Sequence, residues 1–324
     1  MAESSDPIKW MRIQARPGSP AEAHHYPNYA QRQGSWPRPE AIAAGVPPDP
    51  SADLIFHGGK TVPQMEFQNI FLGGQASWLA SDINQIDTAI TLAMQDRRLN
   101  NVVKQYFDPG TNLTCDPRQL LVLEETKPTA MDEPDVQQLI VRLVQQGQVS
   151  DNDLDTVIFN LLLPPGTVLR LDQDDSMGGL GGYHGSVHFE NNGRQHRAYY
   201  SANVFSQTLA DGRPNGIPVF DASWKDVVGT LYHEMNEFRT DADVRDTIAT
   251  NNEDFLGWMG AQGEIGDQPI AMAGQLGDLT LVFQEIQSSR GGRRLPVQFL
   301  YSDAVHGAEG PIEAPDPPAP KPNT

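Results

Sequence analysis

The chain has a single cysteine, Cys115, among 324 residues. That excludes an intramolecular disulfide, and it excludes a thiolate zinc cluster, which needs several sulfur ligands. Basic residues are scarce as well: 23 Lys and Arg stand against 42 Asp and Glu, for a formal net charge of -19. A surface of that sign repels phosphate backbones and argues against nucleic acid as a partner, while it attracts cations and keeps the chain soluble. Long apolar runs are missing too. No stretch approaches the ~20 residues needed to span a bilayer, and the strongest candidate, VIFNLLLPPG, is interrupted by Asn160 and then by Pro164 and Pro165. The first residues, MAESSDPIKW, offer neither a basic n-region nor an apolar h-region, so no secretory signal is visible.

Hydrophobic periodicity is absent at both ends. Residues 1–52 are a Pro-rich arm, and residues 307–324, GAEGPIEAPDPPAPKPNT, a Pro-rich tail expected to be extended or disordered. The arm carries Trp10, Tyr26, Tyr29 and Trp36, which give it a means of docking on the domain or on a second subunit; its His24-His25 pair can catch metal adventitiously. Between them, residues 53–306 read as one α/β domain. DLIFHGG and QNIFLGG are short apolar runs closed by Gly-Gly, hence strands ending in turns. Apolar residues at 79, 83, 86, 90 and 93 have helical spacing, with Ser81 or Asp82 as caps. QLLVLEE is a strand, and DEPDVQQLIVRLVQQGQ a helix with Pro134 in its first turn. TVIFNLLLPPGTVLRL supplies a central strand that stops at Pro164-Pro165, and RAYYSANVFS supplies another.

One helix carries chemistry. DASWKDVVGTLYHEMNEFRTDAD opens on Asp221 or Ser223, both good N-caps. At 100° per residue, Val227, Val228, Leu231, Met235 and Phe238 form an apolar stripe. His233 and Glu237, one turn apart, share the opposite side with Thr230 and Asp226, and Glu234 falls at the border. An imidazole and a carboxylate in parallel suit two ligands of one divalent ion at about 2.0–2.2 Å. The pattern His-Glu-x-x-Glu differs by one residue from the His-Glu-x-x-His of zinc proteases. A solvated polar helix face would give the same spacing.

From about residue 156 onward, six local motifs occur in a fixed order: LLLPPGTVLRL, GGYHGSVHF, AYYSANVF, YHEMNEFRTDADV, LGWMGAQGEIGD and VQFLYSDAV. This order resembles the bacterial branch of the EXORDIUM-like (phosphate-induced) protein family. The resemblance implies a zincin-like single domain with a mixed sheet and a metal-site helix. His233 and Glu237 would be metal ligands, Glu234 the general base, and Glu264 or Asp267 a further oxygen ligand. Asp241 would be a ligand or would orient His233 from behind, and His184 would line the same cleft. It also suggests an extracellular address, whereas the lone cysteine permits a cytoplasmic one. The cysteines that flank Gly-Tyr-His and Gly-Glu-Ile-Gly-Asp in that family are absent, and Ala242 replaces the proline after Thr-Asp.

A hydrolytic site of this kind needs three protein ligands, an open position for water and a nearby carboxylate base. The expected ion is zinc, with calcium or manganese as alternatives, because carboxylates in place of imidazole harden the ligand set and weaken the polarisation of water. The expected function is a metal-dependent, peptidase-like hydrolase acting on a peptide or protein. The alternative is a non-catalytic structural or binding protein that keeps the fold and a cation. DQDDSMGG, residues 172–179, lacks the closing glutamate of a calcium loop and reads as a solvated acidic turn; His57 and His188 read as structural.

Overall fold

The computed structural model describes residues 41–321. The expected docking role of the N-terminal aromatics and the His24-His25 pair lie outside the described residues. The molecule is mixed α/β and built on a six-stranded mixed sheet. Strand β1 (Gln64–Phe71) pairs in parallel with β2 (Thr114–Pro117) and β3 (Leu121–Val122) on one side, and with β4 (Val157–Leu162) on the other. Next come β5 (Gly182–Asn191) and β6 (Arg194–Asn203). β6 lies parallel to β4 and antiparallel to β5, which forms the edge. Every residue of β4 is buried, the mark of a strand covered on both faces.

The β5–β6 hairpin closes in two residues, Asn192-Gly193, both with positive φ (51° and 73°). Matching the right-handed twist of the strands requires left-handed backbone at both positions, and Asn-Gly supplies it with little strain. The hairpin sets the register of every residue on β5, including His184.

Side chains alternate between two cores. On one face Ile70, Val157, Phe159, Leu161, Ala198 and Tyr200 pack with helix α2 (Glu133–Gln145), which starts at a capping box between Asp132 and Asp135 and has Pro134 in its first turn as expected. On the other face Phe67, Ile158, Leu162 and Tyr199 meet α1 (Ala80–Met94) and α3 (Ser223–Thr240). The apolar stripe of α3 from Val227 to Phe238 lies wholly in that second core. A hairpin of β7 (Phe283–Gln287) and β8 (Arg294–Gln298) packs beside α3.

Several local expectations change. Neither Ser81 nor Asp82 caps α1, whose N-cap is Leu79 without a side-chain bond. Neither Asp221 nor Ser223 caps α3: the N-cap is Ala222, and Asp221 instead pairs with Lys225 at 2.7 Å. Asp226 reaches back to accept hydrogen bonds from the Val219 and Phe220 amides at 2.8 and 2.7 Å, and so braces the chain entering the helix. QLLVLEE contributes only Leu121–Val122 to a strand. Part of the expected arm belongs to the domain, since Ala43, Val46 and Ala52 are buried in the α3-side core and Ile42 bridges to Glu309. The described part of the tail first forms strand Gly307–Glu309 against Leu300–Ser302. It then runs extended to residue 321, hydrogen-bonded through Ile312 and Ala319. Among the described residues, no helix is long and apolar enough to cross a membrane.

Candidate metal centre

Three segments remote in sequence converge on the polar side of α3. His184 comes from β5. His233, Glu234, Glu237 and Asp241 come from α3 and its C-terminus. Glu264 comes from the loop that leads into α5 (Asp267–Leu276), after the short helix α4 (Val244–Thr250), and Asp267 is the first residue of α5. All seven side chains are buried, and Asp267 alone keeps measurable exposure, at 6%.

His184 stands at the end of a polar rung that crosses the sheet. Asn69, Asn160, Ser201 and His184 occupy one register position on four neighbouring strands, all fully buried. Asn160 donates to Asn69 at 2.9 Å, Ser201 donates to Asn160 at 2.8 Å, and Asn69 donates to Asp87 of α1 at 2.9 Å. Buried polar groups need such partners to offset lost hydration, so Asn69, Asn160 and Ser201 are fixed as a unit beside His184.

The imidazoles are oriented from behind. The Gln298 amide donates from Nε2 to the Gly266 carbonyl at 2.6 Å, which turns its Oε1 toward His233 Nδ1 at 2.8 Å. His233 Nδ1 therefore carries a proton, and Nε2 faces Glu237 Oε1 at 2.9 Å and Asp267 Oδ1 at 3.6 Å. The Nε2 of His184 lies 3.3 Å from the Asp241 carbonyl, while its Nδ1 lies 3.3 Å from Glu234 Oε2 and 3.6 Å from Glu237 Oε2. Glu264 Oε1 is 3.7 Å from His184 Nε2.

Many of these atoms have no hydrogen-bond partner: His233 Nε2, Glu234 Oε1, both oxygens of Glu237 and of Glu264, Asp241 Oδ2 and Asp267 Oδ1. Leaving a buried carboxylate oxygen unpaired costs on the order of 1–3 kcal/mol or more. A cluster of such oxygens aimed at one another is the donor set of a cation. Atoms bound to one ion at about 2.1 Å in a tetrahedral shell lie roughly 3.4 Å apart, and the contacts of 2.9–3.7 Å bracket that spacing. Among the described residues, two groups have ligand atoms close enough to hold a metal: His184, Glu237 and Glu264; and His233, Glu237 and Asp267.

Proton affinities follow the same logic. Burial pushes the Glu264 and Asp267 carboxyls well above the usual range, and neighbouring Glu237 adds to the shift. Burial raises Asp241 to about 8 and also raises Glu234. Burial opposes the charged form of Glu237 too, but the facing imidazoles outweigh it and hold that carboxyl below its ordinary value. Burial would lower the pKa of His184, yet the hydrogen-bonded Glu234 and the nearby charge of Glu237 carry it to about 10. The centre thus gathers positive charge as protons where a cation would supply it.

The expected residues meet, with differences of role. Glu264 and Asp267 both approach an imidazole, one in each group. Asp241 belongs to neither group and does not orient His233: its Oδ1 accepts from the Gly257 amide at 2.8 Å. Gln298 does the orienting. The sequence offered it only as part of VQFLYSDAV, and no spacing rule links positions 233 and 298. His184 enters a ligand group rather than lining a cleft; the Asn-Gly turn that fixes its strand was the available signal.

Among the described residues, the centre shows no opening to solvent of the kind expected: its side chains are buried. The loop through Gly257 and Gly266 lies over the polar side of α3. A Cβ at Gly257 would meet the Thr240 carbonyl at 2.1 Å, and one at Gly266 would meet His233 Nδ1 at 2.3 Å. Only glycine permits so close a cover. Other expectations sit apart from the centre. Residues 172–179 are more regular than the expected acidic turn: Asp174–Asp175 pair antiparallel with Arg170–Leu171, and Asp175 caps a 3-10 turn at Ser176–Gly178 by accepting from the Gly178 amide at 3.0 Å. His57 is exposed, and His188 contacts Asp246 at 2.8 Å.

No protein-family profile and no curated protein matches the chain. Among solved structures, the crystal structure of metalloproteinase-II from Bacteroides fragilis is similar, with 15% sequence identity and a TM-score of 0.29. The match covers 58% of this chain and 46% of that one, so the chain spans less than half the length of the protein it matches.

Proposed function

We propose that this chain is a divalent-metal protein, and that the chemistry its centre suits is metal-dependent hydrolysis of a peptide-like bond. The observation that carries the metal reading is the convergence of two imidazoles and five carboxylates, of which His233 and all five carboxylates keep at least one buried atom without a hydrogen-bond partner. A zincin-like arrangement is supported by α3, which presents His233 and Glu237 one turn apart with Glu234 beside them. The likeness to bacterial EXORDIUM-like proteins gains support from the same geometry. GGYHGSVHF, YHEMNEFRTDADV, LGWMGAQGEIGD and VQFLYSDAV each contribute a side chain to the centre or its support.

A divalent ion bound here would polarise water and a substrate carbonyl. Glu234 is the residue to take and return a proton: Oε2 is held near His184, and Oε1 is unpartnered. The oxygen-rich donor set suits manganese as well as zinc. The closed cover over α3 favours a second reading, a structural cation in a non-catalytic protein. Glu234→Gln separates the two. Loss of peptide hydrolysis at unchanged metal content supports the enzyme. A parent protein that holds metal yet cleaves nothing in a broad peptide library leaves the structural reading. Absence of stoichiometric metal after purification without chelator removes both.

A further inference from the structure

The two ligand groups share one residue, and they share it through different atoms. Glu237 Oε1 faces His233 Nε2 at 2.9 Å, and Glu237 Oε2 faces His184 Nδ1 at 3.6 Å. A carboxylate that turns one oxygen to each of two imidazoles has the form of a bridge. Each side of the bridge has its own second carboxylate: Asp267 Oδ1 lies 3.6 Å from the same His233 Nε2, and Glu264, which approaches His184 from its other ring nitrogen, still has a ligand atom within 4.8 Å of those of His184 and Glu237. Neither oxygen of Glu237 has a hydrogen-bond partner, nor have Glu264 Oε1, Glu264 Oε2, Asp267 Oδ1 and His233 Nε2.

Charge leads to the same place. Glu234, Glu237, Asp241, Glu264 and Asp267 are buried together, and among the described residues no lysine or arginine forms an ion pair with any of them. Once deprotonated to bind metal, the five carboxylates carry more negative charge than one dication offsets, in a region where water cannot screen the remainder.

The geometry points to a dinuclear centre: two divalent cations bridged by Glu237, one held by His233 and Asp267, the other by His184 and Glu264. This rests on the metal reading above and goes beyond it in number and ligand assignment. Ions in such pairs sit about 3.5–4 Å apart, the span a bridging carboxylate sets. The oxygen-rich donor set makes Mn²⁺ a suitable probe.

The test is a metal count on the full chain. Metal-stripped protein is titrated with Mn²⁺, freed of excess by gel filtration and assayed by elemental analysis, with electron paramagnetic resonance on the same sample. The expected result is two Mn²⁺ per chain and the multiline spectrum of an exchange-coupled pair. One Mn²⁺ per chain with an isolated-ion spectrum overturns the pair and leaves the single-metal reading standing. No bound Mn²⁺, Zn²⁺ or Ca²⁺ overturns both. Glu264→Gln and Asp267→Asn assign the halves: each is expected to retain one ion and lose the coupled signal. Retention of two ions in both variants overturns the ligand assignment. The wild-type count decides the main question even if a variant fails to fold.

Discussion

At the scale of single residues, the centre depends on which nitrogen of each imidazole holds its proton. His233 can offer Nε2 because Gln298 accepts at Nδ1, and Gln298 can accept because Gly266 takes its amide protons. A leucine at position 298 preserves bulk and removes both bonds. His233 would then be free to rotate and to carry its proton on either nitrogen. Groups of this kind behind a metal ligand typically contribute a factor of about 10–100 in affinity. Gln298→Leu is therefore expected to weaken Mn²⁺ or Zn²⁺ binding by roughly that factor, measured by competition with a chelating dye, and also to lower the metal-free thermal midpoint, because His233 Nδ1 and the Gly266 carbonyl lose their buried partner. Unchanged affinity would show that packing alone orients His233.

At the scale of elements, α3 must bury its polar side as well as its apolar stripe, and its first turn carries a cost of that burial. Asp226 takes two backbone amides on one oxygen, yet burial still raises its pKa from 3.8 to about 7. A carboxyl whose folded pKa is raised holds its proton in the folded state after the unfolded chain has released it. Its contribution to stability is thus present at low pH and is lost as pH rises from about 4 through about 7. An asparagine in its place would keep the acceptor and lose the charge. Asp226→Asn is expected to match the parent near pH 4 and to gain on it by on the order of 4 kcal/mol by pH ~8, read from urea unfolding at each pH. A constant difference across that range would contradict the burial of this charge. The helix itself was legible from its 3.6-residue stripe, and so was the His233–Glu237 pairing, because both are local. The N-caps were not, because Asp226 reached backward to amides that no helix pattern includes. Nor was the cover over the polar side: His184, Glu264, Asp267 and Gln298 come from segments whose approach is set by the Asn192-Gly193 hairpin and by the close packing of Gly257 and Gly266.

At the scale of the whole molecule, the centre is where the fold is tied together. It joins the edge hairpin of the sheet to α3, to the loop before α5 and, through Gln298, to β8. Without a cation, like charges meet there and their unpartnered oxygens work against the packing of the second core. Binding to the folded state alone stabilises it by about 2.7 kcal/mol when free metal is 100 times its dissociation constant. For a chain of this size each kcal/mol moves the thermal midpoint by about 1.5 °C. Removing metal with a chelator is therefore expected to lower the midpoint by about 4 °C for each site emptied, and adding Mn²⁺ or Zn²⁺ back should restore it. The loss should shrink toward acid pH, because the ligands bind metal only when deprotonated and the apo centre can then hold protons instead. Calorimetry with and without chelator at two pH values checks both statements. A midpoint indifferent to chelator in protein shown to have carried metal would mean that the ion sits elsewhere than among these buried side chains.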